Sequence, residues 1–326
     1  MKNLTFLCVG AATEDIFLGH SPALVPVCES PEECFFNITL GTKVNVNQIH
    51  FATGGGATNA ATTFARGGHH AIFMGQIGRD PAGAFVEHDL DREGIDTVHL
   101  AYTDRYNTST SVLLLAPNGE RTILTYRGAS TFYNAENFDL TNVQGVNWLY
   151  VTTLNGHFDI LDKLFSQAKE KGIKVAFNPG KPELSDPKKL KSLLADVEIL
   201  LVNKEEAQMI VAGETCEELL SHARNFCPVV AITDGQNGSW AADKTSVVHA
   251  GIYKPDQESI DRTGAGDAFG SGFVLKYAAG SGIKEAVHFA SANASSVVMQ
   301  VGTKTGILRG RNDLHDMEID VRATNY

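Results

Sequence analysis

Short, nearly unbroken apolar runs alternate along most of the chain with stretches whose apolar residues return every three or four positions. The runs Phe6–Val9, Ala71–Ile77, Trp148–Thr152, Lys174–Phe177, Glu198–Val202 and Val229–Thr233 are too brief for helices. They are also too uniformly apolar for strands with one wet face, so they predict parallel strands covered on both sides. Helical patterns lie between them at Ala57–Arg66, Ala82–Glu93, Asp159–Lys171, Pro187–Leu194 and Glu205–Val211. In "FDILDKLFSQAKEKG" the apolar residues share one face and the lysines gather late, where they favour the carbonyl end of the helix dipole. Gly172 then supplies the stop. The alternation predicts right-handed βαβ units in a doubly wound, mostly parallel α/β sheet flanked by helices.

Two regions, about 16–53 and 98–127, break this rhythm. Both are rich in Thr, Val, Ile and aromatic residues, and neither has room for a crossover helix. "PNGE" separates two strand-like runs in the second and signals a hairpin. These regions predict a small antiparallel β-sheet inserted in the α/β body, within a single unit spanning 1–326. One face of such a sheet needs a cover, from a substrate, a partner subunit or both. "SWAADKTSVVHAG" reads as a further hairpin, followed by two long helices near 265–279 and 284–300.

Composition narrows the function. A chain of 326 residues can bury a large core without metal or disulfide support. Its net charge of −11 argues against nonspecific nucleic-acid binding, which needs a positive surface. No run approaches the roughly 20 apolar residues of a bilayer span, so no membrane role is expected. The start "MKNLTFLCVGAATED" reads as a buried first strand rather than a signal peptide. The five cysteines Cys8, Cys28, Cys34, Cys216 and Cys227 form no CxxC pair. They read as reduced thiols of a cytoplasmic protein, with Cys28 and Cys34 free in an edge segment.

The segment "DRTGAGDAFGSGF", residues 261–273, carries the chemistry. Phe269, Phe273 and Tyr277 repeat every four residues, which makes Gly264, Ala265, Gly266 and Asp267 the start of a helix. Amides at a helix start point outward and attract anions, yet a resting phosphate would be repelled by Asp267. The pairing makes sense for phosphoryl transfer. The amides address the migrating group, and the carboxylate removes the proton of the hydroxyl that attacks it. A tight turn with Asp267 as a mere dipole partner is the competing reading. The P-loop pattern is absent, and Phe269 breaks GxGxxG, which disfavours a nicotinamide oxidoreductase. A second glycine cluster, "TGGGATNAATTFARGG", opens another helix with Asn59 in its first turn, an amide suited to a hydroxylated ligand.

Together, "GGGATNAA" and "DRTGAGDAFGSGF" resemble the two signatures of the ribokinase-like (PfkB) carbohydrate kinase family, and the likeness covers nearly the whole chain. The resemblance implies a ribokinase-like fold with a β-sheet lid that often makes a homodimer. It also implies ATP with Mg2+, in many members K+, and a small sugar or nucleoside as substrate. Carried onto matching positions, it makes Asp267 the base and Gly264, Ala265 and Gly266 the anion hole. Asp15, after the first strand, falls at the acid that holds sugar hydroxyls, Gly55, Gly56 and Asn59 at the sugar loop, and Asn203 and Glu206 of "NKEE" at the nucleotide phosphates and Mg2+ hydration. Thr233, Gly235 and Gly238 of "TDGQNG" fall at a nucleotide loop, Asn293 at the adenine side, and Asp261 and Thr263 at the monovalent cation.

Substrate choice is less marked. Thr13 stands where ribokinases commonly have Asn, and Gly56 where they often have Lys. Tyr126 and Arg127 partly resemble the Tyr-Arg of ketodeoxygluconate kinases, where Arg could bind a carboxylate or phosphate. Asn178 in "FNPG" sits at a strand end and reads either as a substrate or phosphate ligand or as a pre-proline turn residue. His69 and His70 have no ligand-spaced partners for zinc. The expectation is an ATP-dependent kinase acting on a primary hydroxyl of ribose, fructose or a related sugar. The alternatives are a nucleoside kinase, a sugar-acid kinase and a silent sensor on the same fold.

Overall fold

The computed structural model describes residues 3–30, 33–118, 120–254, 259–310 and 314–324. From the N-terminus run β1 (Thr5–Val9), β2 (Thr13–Gly19), β3 (Val27–Ser30), β4 (Glu33–Phe35), β5 (Gln48–Gly54) and helix α1 (Gly56–Arg66). Then follow β6 (His70–Gly78), α2 (Pro81–Arg92), β7 (Asp96–Thr103), β8 (Ser109–Leu115) and β9 (Arg121–Tyr126). Strand and helix next alternate through β10 (Trp148–Thr152), α3 (Phe158–Glu170), β11 (Lys174–Asn178), α4 (Lys181–Leu184), α5 (Pro187–Leu194) and β12 (Ile199–Asn203). After α6 (Lys204–Ile210), α7 (Cys216–Ala223) and β13 (Val229–Thr233) come the hairpin β14 (Ser239–Ala242) and β15 (Ser246–Ala250). Helices α8 (Ala265–Ala278) and α9 (Ile283–Val298) precede β16 (Ile319–Ala323).

The apolar runs read from the sequence all enter one ten-stranded sheet, ordered β16-β15-β14-β13-β12-β11-β10-β1-β6-β7. Strands β13 through β7 pair in parallel, and β14 to β16 add antiparallel at one edge. Leu161, Leu164, Leu190 and Leu219 cover one face of the sheet, while Phe64, Phe273 and Val287 cover the other. Helix α8 is apolar nearly all round because sheet and α9 both press on it. A Cβ at Gly272 would lie 3.2 Å from the Ala290 Cα, so its absence sets how closely α8 approaches α9.

The inserted sheet has four strands in the order β5-β2-β8-β9. Strand β2 pairs antiparallel with β5 but parallel with β8, and β8 with β9 forms the expected hairpin. Gly119 of its "PNGE" turn lies outside the described residues. Residues 98–103, expected in this sheet, instead belong to β7 at the edge of the large one, paired in parallel with β6. Helix α2 supplies the crossover such a pair requires.

The reading of Cys28 and Cys34 as free thiols is overturned. Antiparallel pairing of β3 with β4 sets the two residues directly opposite each other, and they form a disulfide. Cys8, Cys216 and Cys227 are free, as read, and all three are buried. Among the described residues no helix is long and apolar enough to cross a membrane.

Candidate active site

Parallel strands deliver their C-terminal residues to one edge of the sheet, where ligands bind in open α/β folds. Here that edge receives Thr152 from β10, Asn178 from β11, Asn203 from β12 and Thr233 from β13. The start of α8 faces it. Gly264 adopts φ 81°, a left-handed conformation that favours glycine. A Cβ there would also lie 2.8 Å from the Thr303 Cβ. The next three amides, of Ala265, Gly266 and Asp267, have no acceptor within the helix. A Cβ at Gly266 would meet no atom within 4 Å, so this first turn opens onto free space.

Asp267 keeps partial solvent access but is surrounded by protein. Burial pushes its pKa above the usual carboxylate range, and a 2.8 Å hydrogen bond from Asn59 Nδ2 opposes that rise. The Thr303 hydroxyl in turn donates to Asn59 Oδ1 at 2.9 Å. Gly56 closes this pocket: a Cβ there would sit 3.1 Å from Asp267 Oδ1. Gly55, which caps α1, lies between Gly56 and Gly54.

Asp15, on β2, is buried beside this group. A Cβ at Gly54 would fall 2.2 Å from its Oδ2, so only glycine leaves the carboxyl room. The Ser111 hydroxyl bonds to it from the neighbouring strand, and one register step away the Thr13 hydroxyl donates to Ser109 at 3.3 Å. Burial pushes the Asp15 pKa up to about 7, against the pull of Lys304 and a hydrogen bond from Ser111, while Asp261 and Asp267 add to the rise. A carboxyl held above its unfolded value of 3.8 subtracts stability when ionised, a penalty complete above about pH 7 that fades as pH falls toward 4. Asp15→Asn therefore gains about 1–3 kcal/mol in the ligand-free protein at pH 8 and nothing at pH 4, read by denaturant titration.

Lys304 is buried, and its Nζ donates to Thr53 Oγ1 at 2.8 Å and to Asp89 Oδ2 at 3.1 Å. Asp261 is also buried; its Oδ1 accepts from the Thr263 amide at 2.9 Å and hydroxyl at 2.6 Å, and its Oδ2 from the Gly302 amide at 3.3 Å.

Toward β13 stands a second group. Asn203 and Glu206 cap α6 reciprocally: the Glu206 amide donates to Asn203 Oδ1 at 2.8 Å, and the Asn203 amide to Glu206 Oε2 at 2.9 Å. Burial raises the Glu206 pKa, Glu205 and Asp267 raise it further, and Lys181 draws it back. Glu206 therefore shares an electrostatic field with Asp267. Beyond Thr233, Gly235 and Gly238 both take positive φ in the turn before β14.

Other positions land differently. Asn178 donates Nδ2 to the Leu201 carbonyl at 2.8 Å, which ties β11 to β12. Arg127 is exposed at the end of β9. Asn293 is fully buried: its Nδ2 donates to Ala268 O, which ties α9 to α8, and its Oδ1 accepts from the Leu308 amide, which ties α9 to the segment that follows it. Lys181, Thr303 and Lys304 escaped the sequence reading, as did buried Glu183. Glu183 accepts from Thr153 Oγ1 and from the amides of Leu154, Gly156 and Gly180, and so shapes the loop after β10.

A family model described as "pfkB family carbohydrate kinase" matches residues 29–309. The chain belongs to this family, and it is accordingly a phosphotransferase with an alcohol group as acceptor. It is 26% identical to a ribokinase of Haemophilus influenzae over 85% of this chain and 91% of that one. It is 30% identical to a fructokinase of Klebsiella pneumoniae over 69% of this chain and 77% of that one. The crystal structure of adenosine kinase from Sinorhizobium meliloti superposes with a TM-score of 0.75 at 21% identity, covering 93% of this chain and 96% of that one. The last likeness speaks to fold alone: the ribokinase fold, with its mostly parallel sheet, flanking helices and small second sheet.

Proposed function

We propose that the chain is an ATP-dependent kinase that phosphorylates a primary hydroxyl of a small sugar such as ribose or fructose. One observation carries the reading: a desolvated carboxylate, Asp267, stands at the unpaired amides of Ala265 and Gly266, held by Asn59 and within electrostatic reach of buried Asp15. Asp267 takes the proton of the attacking hydroxyl. Its raised pKa makes it a better base than a solvated aspartate, and the hydrogen bond from the Asn59 amide favours its ionised form. The Gly264–Asp267 amides balance charge on the phosphoryl group in flight. Asp15, flanked by Thr13, Ser109 and Ser111, accepts sugar hydroxyls.

Asn203, Thr233, Gly235 and Gly238 border the nucleotide. Glu206 fits a water-mediated hold on Mg2+, since Oε2 is spent on Asn203 and Oε1 remains. The ion neutralises phosphate charge when bound. Asp261 and Thr263 would flank K+, though three donors already occupy the Asp261 carboxylate. The four-stranded sheet acts as a lid over the sugar and excludes water. Its outer face exposes Ile49, Phe51 and Leu124, which suits a homodimer through that sheet. The lid is read as part of one unit spanning 1–326.

Arg127 at the end of β9 favours a second reading, a sugar acid whose carboxylate it meets. ADP release measured over ribose, fructose, ketodeoxygluconate, adenosine and other nucleosides, with and without K+, tests these readings together. Turnover on a neutral sugar is expected, with KM rising as pH drops below about 7 and Asp15 takes up a proton. Turnover confined to nucleosides overturns the assignment, and turnover confined to the sugar acid selects the second reading.

A further inference from the structure

Three consecutive residues after α9 each make a buried polar bond to a different part of the molecule. The Gly302 amide donates to Asp261, the Thr303 hydroxyl to Asn59, and the Lys304 ammonium to Thr53 and Asp89. The outer two anchor the segment, and the middle one addresses the site. Thr303 is itself buried and touches both halves of the catalytic apparatus. Its Cβ fills the place that a side chain at Gly264 would take, 2.8 Å away, so it packs under the start of the amide cradle. Its hydroxyl lies 2.9 Å from Asn59 Oδ1 but 3.3 Å from the Thr53 carbonyl, so the single proton belongs to Asn59.

That choice has a consequence. An asparagine amide has two ends of nearly equal shape and opposite polarity. Asn59 is buried, so water cannot correct a wrong orientation. Asp267, when ionised, only accepts, and Asn59 must show it Nδ2. A donor behind Asn59 holds the oxygen inward and polarises the amide toward the carboxylate. We propose that Thr303 is a positioning residue for the kinase reaction, holding Asn59 so that its amide nitrogen fixes the carboxylate of Asp267 against the cradle begun at Gly264. This rests on Asp267 being the base.

Thr303→Val keeps the shape and removes the donor, Thr303→Ser keeps the donor, and Thr303→Ala stands in if the valine variant does not fold. Carboxyl 13C NMR of the full chain reads the Asp267 titration directly, assigned by loss of its signal in Asp267→Asn. In Thr303→Val the midpoint moves up by about 1 pH unit because the opposing hydrogen bond weakens, and Thr303→Ser restores it. With a turned-over sugar, kcat falls roughly tenfold at neutral pH with KM for ATP unchanged, and its acid limb moves up with the midpoint. An unmoved or lowered midpoint in Thr303→Val overturns the positioning role whatever the activity. If the midpoint moves while Asp267→Asn leaves turnover intact, the base assignment fails and the Thr303–Asn59–Asp267 coupling stands.

Discussion

Asp267→Asn lowers turnover by roughly 10³-fold while leaving ATP affinity within a factor of about two, the loss expected when a general base is removed and the binding surface kept. The side chain is isosteric, and Asn59 can still donate to the new amide oxygen, so the pocket keeps its shape. The wild-type profile of kcat against pH carries an acid limb above the ordinary carboxylate range, because burial raises the Asp267 pKa further than Asn59 lowers it. In the variant that limb disappears. Stability moves the opposite way. A carboxyl whose folded pKa is raised subtracts stability once pH exceeds that pKa, so the ligand-free variant melts at or above the wild-type temperature at pH 8. Single-turnover kinetics, nucleotide titration and a melting curve on one preparation separate these effects. Unchanged turnover would remove Asp267 from the mechanism, and a lowered melting point would assign lost activity to the fold.

The large sheet is legible in the sequence because parallel strands wetted on neither face leave plain apolar runs. Trp148–Thr152 and Val229–Thr233 coincide with β10 and β13, and the other runs differ from their strands by one or two residues. Strand β7 defeats that reading because it lies at the sheet's edge with most residues only partly covered, which gives it the mixed composition of a half-exposed antiparallel strand. The Cys28–Cys34 disulfide depends on hairpin register, a tertiary fact that residue spacing does not fix. Asn293 shows a different limit: the sequence places it on α9, but that its amide is buried against α8 is a fact of tertiary packing. The glycine signatures announce Asp267 and Asn59, and the structure adds the bond between them across 208 positions. Thr303 and Lys304 carry no signal, since their partners Asn59 and Asp89 stand 244 and 215 positions away.

Lys304→Met destabilises the protein by about 3–5 kcal/mol at pH 7, the cost of stranding one member of a buried ion pair. Asp89 is left with Thr53 and the exposed Arg92. In the wild type burial works to raise the Asp89 pKa, but Lys304, Thr53 and Arg92 together hold it below the usual value. Its contribution is therefore present above the unfolded pKa and is lost as pH falls through the folded one. The deficit of the variant is accordingly largest near neutrality and narrows below about pH 4. Lys304 is also the strongest influence holding down the Asp15 pKa, so its removal carries that value above about 7 and leaves less Asp15 ionised at pH 7. The sugar KM rises with it, by roughly tenfold for every pH unit that the Asp15 midpoint climbs. Combining Lys304→Met with Asp89→Leu separates the two roles, because an apolar pair of similar volume recovers most of the stability. The sugar KM stays high, since Asp15 still lacks its cation. Recovery of both stability and KM in the double variant would show that Lys304 serves the fold alone.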